Sequence, residues 1–340
     1  MSSLILVLIS FVTAVFLGGH LCNPASRLYI LDQPNVRSLH ENPTPRGGGI
    51  AILAALGISW ALALLFVSRP PAFIWIVAGL AMVAAVSFRD DHSHVQPLVR
   101  LLIQALAAFM LIFAGLGLDV LTVPRIGPIS LGWFGSLLSI LFVVWFINLY
   151  NFMDGMDGFA GGMGAAGFTF LAIIGWMAGE SSFAILAILV AAANFGFLIR
   201  NFPPAKIFMG DAGSASMGFL AASFVLWGEH SEIVPLWASL LIFSPFMVDA
   251  SVTLIRRLLA REKVWQAHRS HYYQRLVQLG WGHRKTVLVE YILMLATGVS
   301  AILLLNTGEN RVLVVLSAWS GIYLVLAMGV HRLEARSLSN

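Results

Sequence analysis

The composition of this 340-residue chain excludes most classes of soluble protein. Hydrophobic residues make up 59% of it and charged residues only 11%, whereas an ordinary soluble domain has about 25% charged residues. With a mean hydropathy of +0.87, a water-soluble globule, a disordered chain and a fibrous repeat all fit poorly, and the chain is predicted to be a polytopic membrane protein. Its single cysteine, Cys22, excludes an internal disulfide. The formal net charge of +4 does not indicate nucleic acid, because in so apolar a chain the placement of charge sets membrane orientation.

Eleven stretches of the chain are apolar over about 20 residues, the length that crosses a bilayer as a helix. The first has no basic leader and carries Leu21 where a cleavable signal needs a small residue, so we expect a retained anchor. Proline and glycine within 119–132 predict an extracytoplasmic loop or a short hairpin. The sequence therefore predicts an all-α fold with about eleven transmembrane helices in one membrane domain, residues 1–340. The eleven stretches lie near residues 3–22, 48–68, 71–87, 98–117, 133–150, 160–178, 182–200, 213–228, 233–255, 286–305 and 312–330.

The basic residues fall mostly on one side of these spans. If the amino terminus is outside, the inside segments hold 17 of the 20 Lys and Arg, and the outside segments hold Arg69, Arg125 and Arg311. Lys and Arg concentrate on the cytoplasmic side of membrane proteins. The amino terminus is therefore predicted to be outside and the carboxyl terminus in the cytoplasm. The predicted cytoplasmic loops cover about residues 23–47, 88–98, 151–160, 200–213 and 256–285.

Four polar residues recur at every third position near the cytoplasmic end of the fifth span. They are Asn148, Asn151, Asp154 and Asp157. Positions i and i+3 share one helix face, and carboxylates within a membrane bundle usually face its interior, a cavity or an ion. One asparagine alone would be explained by helix packing, but four polar residues in register predict a site.

A second acidic group, Asp90 and Asp91, follows the third span, with Arg100 ten residues after Asp90. Adjacent carboxylates repel each other, so they are tolerated beside a cation or a hydrogen-bond donor, or when fully hydrated. Metal or proton chemistry and a hydrated loop are both consistent with the pair taken alone.

A third group surrounds Asp211, which precedes the eighth span. The amino terminus of a helix offers backbone donors to anions, and Lys206 adds positive charge. A simple helix cap would explain Asp211 alone. It would not explain Asn201 and Phe208 in the same segment.

Two further inside segments carry groups that bind phosphate. One joins His40 and Arg46 to three glycines at 47–49, which would also permit close helix packing. The other, His-Arg-Ser-His at 268–271, combines imidazole and guanidinium groups, which suit a phosphate-rich ligand. The basic run at 256–263 is equally consistent with binding to anionic lipid headgroups.

Together these segments supply carboxylates for Mg²⁺ and cations for a diphosphate, which are the components of phosphoryl transfer. A lipid acceptor would explain the membrane spans. A secondary transporter is the main alternative, but its acids usually lie at mid-membrane within repeated halves, whereas these lie at cytoplasmic helix ends and no repeat is visible. Asp249 and Glu290 are exceptions to this placement, and the sequence leaves their roles open. A lipid-binding scaffold would leave the carboxylate motifs unexplained.

Five ordered motifs resemble the polyprenyl-phosphate N-acetylhexosamine-1-phosphate transferases of glycosyltransferase family 4. The resemblance covers residues 37 to 271, nearly all of the membrane domain. The motifs are Arg37-Ser-x-His-x-x-Pro-Thr-Pro-Arg-Gly-Gly-Gly, Asp90-Asp91, Asn148-x-x-Asn-x-x-Asp-Gly-x-Asp-Gly, Pro204-Ala-Lys-x-Phe-Met-Gly-Asp-x-Gly-Ser and His268-x-x-His.

The resemblance implies a specific reaction at the bacterial inner membrane. N-acetylhexosamine-1-phosphate would pass from a UDP-N-acetylhexosamine to undecaprenyl phosphate, releasing UMP, with Mg²⁺ or Mn²⁺ as cofactor. We expect direct attack of the lipid phosphate on the β-phosphorus, although a covalent aspartyl-phosphate route is also open. The expected partners are the two substrates and membrane lipid, without nucleic acid, and a homodimer is left open.

The resemblance also implies residue roles. Asp90, Asp91 and Asp154 are expected to serve catalysis, with Asp90 deprotonating or orienting the lipid phosphate. Asp211 resembles a metal ligand, with Asn151 as a second. Asp157 resembles a residue that helps to seat uracil. The residues expected to bind substrate are Asp157, Asn201, Phe208, Lys206, Arg100, His268, Arg269, His271, Arg46 and His40.

Two segments indicate the branch of the family. The sequences Thr-Pro-Arg-Gly at 44–47 and Ala-His-Arg-Ser-His at 267–271 differ from the Thr-Pro-Thr-Met-Gly-Gly and His-rich motifs typical of the peptidoglycan branch. The chain looks closer to enzymes that initiate O-antigen, exopolysaccharide or enterobacterial-common-antigen chains. A phospho-N-acetylmuramoyl-pentapeptide transferase is the alternative, and the preferred sugar is left open.

Overall fold

The computed structural model describes residues 3–34, 38–40, 42–123, 125–263 and 268–339. Arg37 of the first motif lies outside the described residues. Within them the chain is mostly helical, with two short strand pairs. The helices are α1 (Ser3–Leu21), α2 (Gly48–Ala63), α3 (Phe73–His92), α4 (Pro97–Phe113), α5 (Trp133–Met153), α6 (Phe159–Met177), α7 (Ser181–Asn201), α8 (Asp211–His230), α9 (Leu236–Ile242), α10 (Ser244–Leu259), α11 (Tyr272–Leu276), α12 (Gly282–Leu304) and α13 (Glu309–Ser339).

Each predicted span coincides with a helix or, for 233–255, with the pair α9 and α10, which meet at an angle of 79°. In the described part of the chain, seven helices are long and apolar enough to cross a membrane, and the bent pair would make an eighth. The helices α2 and α4 are apolar but shorter. The class of helical polytopic membrane protein is therefore confirmed, while the count of eleven and the orientation stay predictions.

The helix α8 lies at the centre of the bundle. Every residue from Ala212 to Gly228 is buried, and α8 packs against α3 and α5, while α7 packs against α1 and α6. The surface is apolar by contrast, as in α13, where Leu324 and Val325 are each more than 60% exposed. An apolar exterior around a packed interior suits a bundle surrounded by lipid.

Glycines bring the first turns of α2 and α8 together. A Cβ atom at Gly49 would lie 2.2 Å from the Cα of Gly213, so only glycine allows this approach of two backbones. The amides of Gly47 and Gly48 donate to the carbonyl of Phe208 at 3.2 and 2.9 Å. The close-packing explanation of the glycine run is therefore correct, and the run joins the first motif to the segment just before α8.

Two antiparallel strand pairs complete the fold. Strands β1 (Ile30–Asp32) and β2 (Thr44–Arg46) pair so that Asp32 faces Thr44. Strands β3 (Val120–Val123) and β4 (Gly127–Ser130) form a hairpin, which confirms the short-hairpin form of the loop predicted at 119–132.

Several helices end or begin at the same end of the bundle. The helix α3 continues to His92, so Asp90 and Asp91 lie on its last turn, and the loop predicted at 88–98 begins later than expected. The helix α5 ends at Met153. Its polar stripe is therefore split, because Asn148 and Asn151 are helical whereas Asp154 and Asp157 follow in the turn.

A candidate active site at one end of the bundle

A cavity of about 230 Å³ opens where these helix ends meet. It is bounded by the turn after α5, the start of α8 and the segments before α2 and α12. Seven residues predicted from the sequence line it, and so do several that were not predicted. The lining residues are Asp32, Ser38, Leu39, His40, Arg46, Asp154, Gly155, Met156, Asp157, Asn201, Phe208, Gly210, Asp211, Gln274 and His283.

The carboxylate of Asp91 caps the first turn of α8 from another helix. Its oxygens accept the backbone N–H groups of Asp211 and Ala212 at 3.0 and 2.9 Å. The side chain is only 6% exposed, and the Arg46 guanidinium lies 3.5 Å away. A carboxylate at a helix amino terminus satisfies free donors and interacts favourably with the helix dipole. Asp91 therefore fixes the position from which Asp211 enters the cavity.

Asp90 holds a cation beside the same point. It forms an ion pair with Arg100 and accepts the backbone N–H of Val95 at 2.8 Å. The Arg100 guanidinium also lies 3.7 Å from an Asp211 oxygen. The acidic pair is thus not a hydrated loop, since one carboxylate orients a helix and the other orients an arginine.

Arg46 bridges two carboxylates across the cavity mouth. It pairs with Asp32 and with Asp91, and Asp32 also lies 3.7 Å from the His40 imidazole. The pairing of β1 with β2 brings Asp32 to this place. Sequence reasoning missed Asp32, because it lies in no motif and only the strand register brings it near Arg46.

The two asparagines of the polar stripe have different surroundings. The amide nitrogen of Asn151 donates to Asp211 at 2.9 Å and to Ser214 at 3.0 Å. That of Asn148 donates to Gln104 at 2.8 Å and to the carbonyl of Val144 at 2.7 Å. Asn151 therefore belongs to the site, whereas the contacts of Asn148 are those of helix packing.

Negative charge accumulates inside the cavity. Burial raises the pKa of Asp154 well above its usual range, and the nearby charges of Asp211 and Asp91 raise it further. A bound cation would offset this repulsion. The described residues contain no group of three or more His, Cys, Asp or Glu arranged to hold a metal ion. The oxygen donors present still fit Mg²⁺, which commonly takes one or two carboxylates and completes its shell with waters and substrate phosphates.

A second set of contacts forms the opposite wall. One Asp157 oxygen accepts the backbone N–H of Ala205 at 2.9 Å, and the other lies 3.0 Å from the His283 imidazole. Asn201 uses both ends of its amide on the backbone, since it accepts from Gly158 at 3.0 Å and donates to Ile207 at 2.8 Å. Asn201 thus holds the turn that presents Asp157.

The histidine segment lies beside the cavity. The carboxylate of Asp249 accepts the backbone N–H groups of Tyr272 and Tyr273 at 2.9 and 3.1 Å and lies 3.4 Å from the buried His271 ring. Asp249, whose role the sequence left open, thus fixes the start of α11. Burial, with the charges of His271 and Arg257, lowers the pKa of His268 to about 4.

Five of the predicted substrate-binding residues lie away from the cavity lining. Arg269 donates to the Ser38 carbonyl at 3.3 Å, which ties the histidine segment to the cavity wall. The side chain of Lys206 is exposed, and the Arg100 guanidinium contacts Asp211 without lining the cavity. Within the described residues, the five outside the lining are Lys206, Arg100, His268, Arg269 and His271. Their predicted contacts with substrate stay predictions.

Comparison with known proteins identifies the family. The profile of glycosyl transferase family 4 matches residues 73–229. A decaprenyl-phosphate N-acetylglucosaminephosphotransferase of Mycolicibacterium smegmatis is 31% identical over 347 residues, which cover 90% of this chain and 82% of the relative. The chain belongs to glycosyl transferase family 4. The matched segment holds Asp154, Asp157 and Asp211, which line the cavity of this family member together with Asp32.

Two further relatives have similar coverage. The undecaprenyl-phosphate alpha-N-acetylglucosaminyl 1-phosphate transferase of Salmonella typhi is 30% identical over 289 residues, or 81% of this chain and 77% of the relative. A Bacillus subtilis (strain 168) protein named "Probable undecaprenyl-phosphate N-acetylglucosaminyl 1-phosphate transferase" is 29% identical over 300 residues, or 87% of this chain and 83% of the relative.

Proposed function

We propose that this chain transfers N-acetylhexosamine-1-phosphate from a UDP-N-acetylhexosamine to undecaprenyl phosphate and releases UMP. The observation that carries the proposal is the junction of α3 and α8, where Asp91 caps the helix that begins with Asp211 while Asp90 holds Arg100 beside it. This junction puts carboxylates and a guanidinium at one end of an apolar bundle, where a lipid phosphate and a nucleotide can meet. The names of the relatives support the same reaction.

Asp211, with Asn151 and Asp154, would hold a divalent cation, Mg²⁺ or Mn²⁺. When bound, the cation neutralises charge on the donor diphosphate and on the departing UMP. Asn151 uses its amide nitrogen on Asp211 and Ser214, which leaves its amide oxygen as the atom that can act as a ligand. Hard oxygen donors of this kind are those that Mg²⁺ prefers.

The acceptor phosphate needs orientation more than it needs a base. A phosphate monoester has its second pKa at about 6, so it is largely dianionic at neutral pH. Its oxygen attacks the β-phosphorus of the donor in line, a new P–O bond forms, and the bond from the β-phosphorus to the bridging oxygen breaks with UMP as the leaving group. Arg100, held by Asp90, and Arg46, held by Asp32 and Asp91, are placed to orient anionic oxygens.

The donor nucleotide would bind against the part of the cavity wall formed by Asp157 and Phe208. The Phe208 ring lies 4.7 Å from the His40 ring, measured between centroids, and both residues line the cavity. An aromatic face provides a stacking surface for a base, and a carboxylate can accept a hydrogen bond from an N–H group of that base. The diphosphate would then extend toward Asp211.

The reaction would take place on the cytoplasmic face of a bacterial inner membrane. The concentration of basic residues in the segments predicted to be inside supports this orientation. The product would start a lipid-linked O-antigen or another cell-surface polysaccharide. The names of the relatives make N-acetylglucosamine the first sugar to test.

Mass spectrometry of the lipid product tests the proposal. Purified protein would be incubated with undecaprenyl phosphate, Mg²⁺ and a panel of UDP-N-acetylhexosamines, with UDP-N-acetylmuramoyl-pentapeptide as a further donor. We expect a lipid that has gained one N-acetylhexosamine and one phosphate. Product from the pentapeptide donor alone would favour the peptidoglycan branch, and no product from any donor would refute the proposal.

A further inference from the structure

His283 lies at the start of α12 and contacts the base-binding carboxylate proposed above. Its Nδ1 atom is 3.0 Å from an Asp157 oxygen, and the two side chains are only 17% and 12% exposed. The imidazole also hydrogen-bonds to the backbone of Leu39. The ring therefore links α12, the turn after α5 and the segment that precedes α2.

Asp157 is held on two sides. Besides His283, it receives the backbone N–H of Ala205 at 2.9 Å. A carboxylate offers about four lone-pair sites, so two such bonds fix its plane and leave acceptor capacity for a ligand. The Asp157 carboxylate is thus held in a fixed orientation.

The Asp157–His283 pair stands between two cavities. A neighbouring cavity of about 440 Å³ shares part of its wall with the cavity described above and also contains Arg284. A ligand that extends through both cavities would pass this pair. The residues that line both cavities are Leu39, His40, Asp157, Phe208 and His283.

Hydrogen-bond chemistry determines which base such an acceptor selects. The imide of uracil donates from N3, whereas the same nitrogen of cytosine is an acceptor, so the two bases differ on the edge that proteins commonly read. An ionised carboxylate can only accept. It would bind the imide and would leave cytosine without a partner at that position.

We propose that His283 is a positioning residue that holds the Asp157 carboxylate in the orientation of a hydrogen-bond acceptor and thereby sets the preference of the donor site for uridine over cytidine nucleotides. This inference rests on the proposed function, because it takes the donor to be a UDP-sugar. It adds a residue outside the five motifs, supplied from a distant part of the chain.

Three substitutions separate this role from general support of the fold. His283→Asn places an amide nitrogen near the position of Nδ1 and can keep the contact with Asp157. His283→Gln extends to the position of Nε2 and can keep only the contact with Leu39. His283→Ala removes both contacts. His230→Ala, at the exposed far end of α8, is the matched control.

Binding of UMP and CMP to the detergent-purified protein, measured by calorimetry, would be combined with KM and kcat for the UDP-sugar. We expect His283→Ala and His283→Gln to weaken UMP binding and raise KM about tenfold, the effect of losing an oriented bond to a charged group, with kcat within about threefold. CMP binding should change little, so the preference for UMP shrinks. His283→Asn and His230→Ala should stay within about threefold of the wild type in UMP binding.

The outcomes distinguish the two levels of the proposal. A wild type that neither binds UMP nor forms lipid product would refute the proposed function itself. An active wild type whose His283→Gln and His283→Asn variants both bind UMP normally would overturn the role of His283 alone. The opposite order, with Gln normal and Asn weak, would assign the residue to support of the Leu39 segment. If His283→Ala fails to fold, the comparison of UMP binding by His283→Asn and His283→Gln still tests the role of His283.

Discussion

Asp91, on the last turn of α3, caps the helix that begins at Asp211, with bonds of 3.0 and 2.9 Å to the backbone amides of Asp211 and Ala212. The contact joins two motifs that lie 120 residues apart. It also explains why a buried carboxylate is tolerated here, since the helix end and Arg46 both offset its charge.

Replacing Asp91 should therefore affect both stability and turnover. Asp91→Ala leaves two amides without their acceptor, and loss of such a cap costs about 1–2 kcal/mol. Asp91→Asn keeps one acceptor oxygen and should lose less stability. Both variants should lose most transfer activity, because Asp211 is no longer held in place. Thermal unfolding in detergent and turnover are the measurements, with the exposed Asp119→Ala as the control. A normal melting temperature for Asp91→Ala would contradict the capping role.

Substitutions of the two asparagines of α5 should have different effects, because one contacts the candidate site and the other packs between helices. Asn151→Ala removes a contact to Asp211 and should reduce turnover about 100-fold, as misplacement of a reacting group can do. Asn148→Ala removes packing bonds and should cost about 1 kcal/mol of stability with little change in turnover. The two substituted positions lie about one helical turn apart on the same face of α5. If Asn148→Ala lost more turnover than Asn151→Ala, the assignment would be reversed.

The metal assignment predicts a linked loss of binding and activity. EDTA should abolish transfer activity, and added Mg²⁺ or Mn²⁺ should restore that activity. Asp211→Asn should insert and purify normally but bind Mn²⁺ weakly by electron paramagnetic resonance and show no measurable transfer, since a neutral amide replaces a charged ligand. Turnover that persists without any divalent cation would count against this assignment.

His268 should make stability depend on pH. Its pKa is lowered to about 4 from the usual 6.5, so the unfolded chain binds a proton at a higher pH than the folded one. The contribution of this group to stability is present above pH 6.5 and is lost as the pH falls toward 4. His268→Gln cannot titrate. Between pH 7 and 4.5 the melting temperature of the wild type should fall more steeply than that of the variant, and parallel curves would show that the shift is absent.

Much of the helical framework was predictable because polar residues stand out in so apolar a chain. Each predicted span coincides with a helix or, for 233–255, with the bent pair α9 and α10. Asp154, Asp157 and Asp211, taken from two separate motifs, line one cavity. Such residues can be recognised in the sequence because each is a polar residue at a defined spacing within an apolar chain. Composition and spacing were therefore sufficient to find them.

The residues that the sequence could not reveal depend on contacts between distant segments. Asp32 reaches Arg46 through strand register, and His283 meets Asp157 across 126 residues of chain. The caps supplied by Asp91 and Asp249 likewise come from other helices. No local pattern marks such partners. The polar stripe of α5 lies only partly on the helix, since its spacing continues past Met153, where the helix ends.

Isotopic labelling of the donor distinguishes transfer of the sugar-1-phosphate from transfer of the sugar alone, because it follows the β-phosphate through the reaction. The UDP-N-acetylhexosamine accepted by the wild type would carry radioactive phosphorus at the β position only, and the lipid and nucleotide products would be separated after reaction with undecaprenyl phosphate. We expect the label to move to the lipid while unlabelled UMP is released. Label that stays with the nucleotide as UDP would show transfer of the sugar alone and would contradict this expectation.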